Sequence, residues 1–244
     1  VTVMLLKTRE IYVLKINQIR FDRRMLFSVL RIGIPAGLES VMYNISNIVI
    51  QVFVNNLGTD TVAAWGTLGK IDALFWMVIN AFAISITTFV GQNLGAKQYD
   101  RAKKGAKFGI LCSISIAELI GITIYTAAPV LIAAFNRDPD VIHYGVMQAR
   151  TIALFYCLLA FTHCIAAVLR GSGNAAVPMI VLLCVWCLFR VSYITLAVRL
   201  IPDIRVIFWA YPLTWSISSV IFLFLFLRGN WVHGFEKKVT GREP

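Results

Sequence analysis

The chain has 244 residues, 59% of them hydrophobic and 14% charged, with a mean hydropathy of +0.76. A soluble domain is about 45–50% apolar and about 25% charged, and a single soluble core has no room for this apolar surplus. An integral membrane protein is the economical reading, and the formal net charge of +11 belongs with topology and anionic lipid heads rather than with nucleic acid.

In chain order, Val1 comes first and Met4 is the first methionine, which suggests a fragment or a missing start. No secretory signal peptide is visible. "VTVMLL" resembles the end of an earlier span. Residues 11–30 mix apolar and basic side chains at helical spacing, so 1–31 reads as an amphipathic cytoplasmic linker helix. Residues 32–228 read as a six-helix transmembrane lobe, and 229–244 as a cytoplasmic tail.

A helix needs about 20 apolar residues to cross about 30 Å of hydrocarbon. Such runs fall at 32–56, 61–91, 108–134, 144–169, 177–199 and 206–227. The breaks between them are polar or rich in Gly and Pro: "NNLGTD" (55–60), "GQNLGAKQYDRAKKGAK" (91–107), "NRDPD" (136–140), "RGSGNAAVP" (170–178) and "RLIPDIR" (199–205). Punctuation of this kind ends helices. The short alternating segments of a β-barrel are absent.

Basic residues set the direction. Seventeen of the 23 fall in the amino-terminal segment, the second break, Arg170 and the tail, while Arg137, Arg199 and Arg205 fall on the other side. Both termini are therefore expected in the cytoplasm of a multi-pass protein of the cell membrane.

Polar residues inside the spans form stripes. Glu39, Tyr43, Asn47 and Gln51 recur every fourth residue on the first span, below Pro35, which is placed to break or bend it. Asp72, Trp76, Asn80 and Thr87 lie on a similar stripe of the second, and Glu118 lies on the third. Lys70 is two residues from Asp72, about 200° around the helix, so the two are poor partners. A charge at the bilayer centre costs about 2.5–3.5 kcal/mol on insertion scales. Glu39, Tyr43, Asn47, Lys70, Asp72, Trp76, Asn80 and Glu118 are therefore candidates for a polar pathway for substrate or ion.

Other chemistries find little support. The cysteines Cys112, Cys157, Cys164, Cys184 and Cys187 lie in apolar runs, and "CVWC" (184–187) lacks the second pair of a metal site. They read as small packing residues. His143 and His163 have no metal-binding spacing, so neither a metal nor a cofactor is expected. With no Walker loop and no G-x-S-x-G elbow, neither an ATP motor nor a serine hydrolase is indicated, and no enzyme is expected.

Four stretches resemble one family, the multidrug and toxic compound extrusion (MATE) transporters. "RIGIPAGLESVMYNISN" (31–47) resembles the opening of that family's seventh helix. "GTDTVAAWGTLGKIDALFWM" (58–77) is similar to many bacterial members. "FVGQNLGAKQYDRAKKG" (89–105) resembles the G-Q-x-x-G-A stretch after the eighth helix, and "LRGSGNAAVPMI" (169–180) the R-G-x-G-x-x-x-x-P junction after the tenth. Pro35, Gly91, Gln92, Gly95, Arg170, Gly171, Gly173 and Pro178 carry these matches, which run in order across 29–228. Gly91, Gly95, Arg170 and Gly173 are expected to shape cytoplasmic turns without touching substrate.

The resemblance implies an all-α membrane protein: a six-transmembrane-helix bundle that is one lobe of a twelve-helix transporter, partnered by an amino-terminal lobe and by membrane lipid. It implies export of bulky, often cationic small molecules in exchange for Na⁺ or H⁺ by alternating access. The chain departs from one branch of the family. Tyr43 stands where that branch has a glutamate, with Glu39 a turn earlier, and 144–169 hold no acidic residue to match an aspartate of its tenth helix. A lipid-linked oligosaccharide flippase of the same superfamily is the alternative that Lys70, Arg150 and Arg190 keep open, since its cavity would be more basic. A non-transporting helper subunit is another.

Overall fold

A computed structural model describes residues 20–201, 203–228 and 231. Six helices follow one another: α1 (Arg23–Asn55), α2 (Thr59–Gly95), α3 (Tyr99–Ala133), α4 (Pro139–Gly171), α5 (Ala176–Leu200) and α6 (Ile204–Arg228). Each is long and apolar enough to cross a membrane. The expected linker helix lies outside the described residues up to 19; from Arg23 onward it is one continuous helix with the first span, and it runs through Pro35. The expected tail also lies outside them, except for Trp231.

The helices are longer than the apolar runs. The expected break at 91–107 shrinks to three residues, 96–98, because the polar end of α2 and the charged start of α3 continue the helices beyond the apolar part. The turn is a Schellman closure: Lys97 takes a positive φ of 58°, its N–H donates to Leu94 O, and Gln98 N–H donates to Asn93 O. The end of α4 repeats it with Gly173 (φ 76°) at the left-handed position and Asn174 N–H donating to Leu169 O. Asp138 caps α4 by accepting from Asp140 N–H, with Pro139 in the first turn.

Helix α4 is the central element, packed between α2, α3 and α6. Its second half is lined by small residues, and Ala160, Cys164, Ala166 and Ala167 are wholly buried. Small residues let helix backbones approach without lipid-driven association. Glycines close the gaps further. A Cβ on Gly121 of α3 would lie 2.3 Å from the carbonyl oxygen of Ala153, where a 3₁₀ turn (Ala153–Phe155) interrupts α4. A Cβ on Gly171 would lie 2.7 Å from Thr87 O of α2.

Helices α1 and α5 pair on the flank of this core, and α6 bridges α5 to α4. A π-helical stretch, Leu183–Phe189, widens α5. The α1–α5 pairing uses its backbone: Ser46 Oγ donates to Trp186 O at 2.9 Å, and Cys187 Sγ donates to Met42 O. Large apolar side chains such as Phe108, Leu111, Leu119 and Val130 of α3 point outward, the surface expected of a protein solvated by lipid.

Candidate functional site

Two cavities open between α1 and the core. The larger, about 510 Å³, is lined by residues of α1, α2, α4, α5 and α6 and includes Asn47, Asp72, Gln148, Tyr156 and Arg190. The second, about 420 Å³, is lined by Glu39, Ser40 and His163 among others. Tyr43, Trp76, Asn80 and Trp186 line both, so the cavities adjoin. The ring of Tyr43 sits 5.9 Å from both Trp76 and Trp186. His163 lies between the two tryptophans at 5.0 and 5.4 Å. Its Nε2 is buried without a hydrogen-bond partner among the described residues.

The stripes read from sequence supply the polar part of the α1 and α2 lining. Tyr43, Asn47 and Gln51 on α1 meet Asp72, Trp76 and Asn80 on α2 at the larger cavity. Asp72 accepts a short hydrogen bond from the Tyr156 hydroxyl, so α4 supplies the group that orients the α2 carboxylate. Glu39 lines the second cavity and forms an ion pair with Arg170 at 3.2 Å; both side chains are about four-fifths buried.

Two candidates fall elsewhere. Lys70 lies outside both cavities, exposed, with Nζ 5.7 Å from the Phe135 ring centre. That follows from helix geometry: with Asp72 turned inward, a residue two positions earlier turns away. Glu118 also lines neither cavity; its Oε2 is buried on α3 without a hydrogen-bond partner among the described residues. Arg170, expected to shape a turn, accepts from Gly173 N–H in the turn that ends α4, and its side chain also reaches back to α1. A Cβ on Gly91 would lie 3.4 Å from Gly171 O and one on Gly95 would meet open space, Gln92 is exposed, and Pro178 is buried in the first turn of α5.

The residue that sequence reasoning underweighted is Arg190. It follows the π-helical stretch of α5 and is 0% exposed. Its Nε and Nη2 donate to Thr214 Oγ1 at 3.2 and 2.6 Å. The guanidinium lies 4.4 Å from the Tyr211 ring centre and 5.2 Å from that of Trp186. Each cation–π contact contributes about 0.5–2 kcal/mol, comparable with the about 2.5–3.5 kcal/mol for placing arginine at a helix centre. The rings therefore offset much of that cost but supply no counter-charge. Lys70 and Arg150 do not share its site: Arg150 is exposed, 5.6 Å from the Tyr125 ring. Among the described residues, Arg190 is the one lysine or arginine that lines these two cavities.

The MatE family model matches residues 35–195. The probable multidrug resistance protein YoeA of Bacillus subtilis is 24% identical over 163 residues, 67% of this chain and 35% of that protein. The probable multidrug resistance protein NorM of Aromatoleum aromaticum is 30% identical over 165 residues, 67% of this chain and 36% of that protein. The matched part thus spans about a third of these relatives' lengths. The crystal structure of MATE in complex with MaL6 superimposes with a TM-score of 0.86 at 18% identity, covering 97% of this chain and 53% of that one.

Proposed function

The chain belongs to the MatE family, and on that premise we propose that it forms one lobe of a transporter that exports bulky, amphipathic, often cationic molecules. Inward flow of Na⁺ or H⁺ drives the export, and the lobe works with an amino-terminal lobe that closes the other side of the cleft. In this reading the protein is a multi-pass transporter of the cell membrane with both termini cytoplasmic, and it catalyses no covalent chemistry.

The observation that carries the proposal is the pair of adjoining cavities sharing Tyr43, Trp76, Asn80 and Trp186, with Glu39 in one and Asp72 in the other. Aromatic faces and a carboxylate are the groups that receive an organic cation. The carboxylates suit either coupling ion: each can ligate Na⁺ through oxygen, or carry a proton when desolvated. The relatives' names, probable multidrug resistance proteins, support the same reading.

The test is transport. The lobe is joined to an amino-terminal lobe, reconstituted in vesicles and loaded with ethidium. Efflux is expected when a Na⁺ or pH gradient is imposed, and none without a gradient. No gradient-dependent efflux under either condition contradicts the proposal.

A further inference from the structure

We propose that Arg190 is an anion-binding residue that docks a carboxylate or phosphate group of an aromatic ligand in the larger cavity. The inference deepens the export reading and rests on it for the role of that cavity.

The charge is the starting point. Arg190 is fully buried, and a guanidinium does not shed its proton inside a protein. Burial therefore leaves a permanent positive charge that needs a counter-ion. The described residues supply none within ion-pair distance. The ion pairs among the described residues are Glu39–Arg170 and Asp203–Arg205. The carboxylate that shares the cavity, Asp72, is engaged by the Tyr156 hydroxyl. Thr214, the one side chain that accepts from Arg190, is neutral, and it lies within hydrogen-bond reach of Ala210 O at 2.8 Å.

The donors point the same way. Nε and Nη2 are used on Thr214, whereas Nη1 is buried without a hydrogen-bond partner among the described residues. An unsatisfied charged donor in a buried site is an unfinished hydrogen bond, and an anionic oxygen completes it with charge assistance. The surroundings fix the rest of the ligand. Tyr211, Trp186, Trp65 and Trp215 line the cavity, and about 510 Å³ suits a small aromatic molecule. Gln148 Oε1, in the same lining, is a buried acceptor without a partner among the described residues and would take a donor from the ligand. The rings of Tyr211 and Trp186 cover the guanidinium, so the anion reaches Nη1 by turning one of them aside.

The experiment uses the full chain in detergent micelles and reads binding by quenching of tryptophan fluorescence. The probes are 2-naphthoate, 2-naphthyl phosphate and uncharged 2-naphthamide. At least one anionic probe is expected to bind about tenfold or more tighter than naphthamide, and Arg190→Gln to reduce that ratio to about two or less. Arg190→Lys should keep part of the preference, because the charge remains. Displacement of naphthoate by inorganic sulfate in the parent chain would show that free anions occupy the same site. Equal binding of naphthoate, naphthyl phosphate and naphthamide overturns the inference. So does an anion preference that survives in Arg190→Gln, and so does the absence of binding by any probe. The comparison within the parent chain decides the matter even where Arg190→Gln fails to fold. Equal binding removes the anion site and leaves the export reading standing, because that reading is tested separately by gradient-driven efflux.

Discussion

Arg170, in the last turn of α4, holds both carboxylate oxygens of Glu39 on α1 at 3.2 Å through a single nitrogen, Nη1. It is the ion pair that ties the flanking helix to the central one. Both side chains are mostly shielded, so the coupling should sit at or above the about 0.2–1 kcal/mol of exposed pairs. A double-mutant cycle with Glu39→Gln and Arg170→Met, read by thermal unfolding in detergent, should give about 1 kcal/mol of coupling. Strictly additive single mutants would show that the pair contributes nothing.

Glycine positions make a second test. In Gly121→Ala the new methyl group meets a backbone oxygen at 2.3 Å, and in Gly171→Ala at 2.7 Å, whereas Gly95 faces open space. Backbone cannot swing aside as a side chain can. Gly121→Ala and Gly171→Ala should each lose about 1–3 kcal/mol of stability. Gly95→Ala should change little, which thermal unfolding of all three would reveal. Equal loss at Gly95 would mean that close approach does not govern these sites, since alanine by itself favours a helix over glycine.

The aromatic group predicts binding. Trp76→Leu keeps apolar bulk but removes a ring face that lines both cavities. Ethidium binding to the full chain should weaken about tenfold, the size of one good cation–π contact. Titration by ethidium fluorescence measures it, and unchanged affinity would place the cation elsewhere.

Much of this arrangement is legible in the sequence, because lipid forces long apolar runs and penalises polar side chains that face it. The six spans and the stripes of Glu39 to Gln51 and Asp72 to Asn80 follow from those two constraints. Helix ends do not, since a polar helix such as 99–107 leaves the membrane without breaking. Which polar face meets a neighbour is also tertiary information: Glu118 and Asp72 look alike in sequence, yet only Asp72 lines a cavity. The 3₁₀ turn in α4 packs against Gly121 and the π-helical stretch in α5 against α1, contacts that periodicity along the chain does not report. Arg190 was visible as a charge in a span, but its ring contacts and its unpaired Nη1 come from helices distant in sequence.

The two cavity carboxylates separate coupling from binding. Asp72→Asn and Glu39→Gln keep shape and remove charge. In the two-lobe transporter, at least one should abolish gradient-driven ethidium efflux while leaving ethidium binding partly intact. Full efflux in both variants would locate ion coupling outside this lobe.

The central claim is that the space between α1 and the α2–α4 core is the path the exported molecule takes. Asn80 is exposed and lines both cavities, so a cysteine there reports on that space. With the five native cysteines replaced, Asn80→Cys in the two-lobe transporter is treated with a membrane-impermeant thiol reagent, with and without ethidium. The account predicts labelling that ethidium slows several-fold. No labelling, or labelling at the same rate with saturating ethidium, would contradict it.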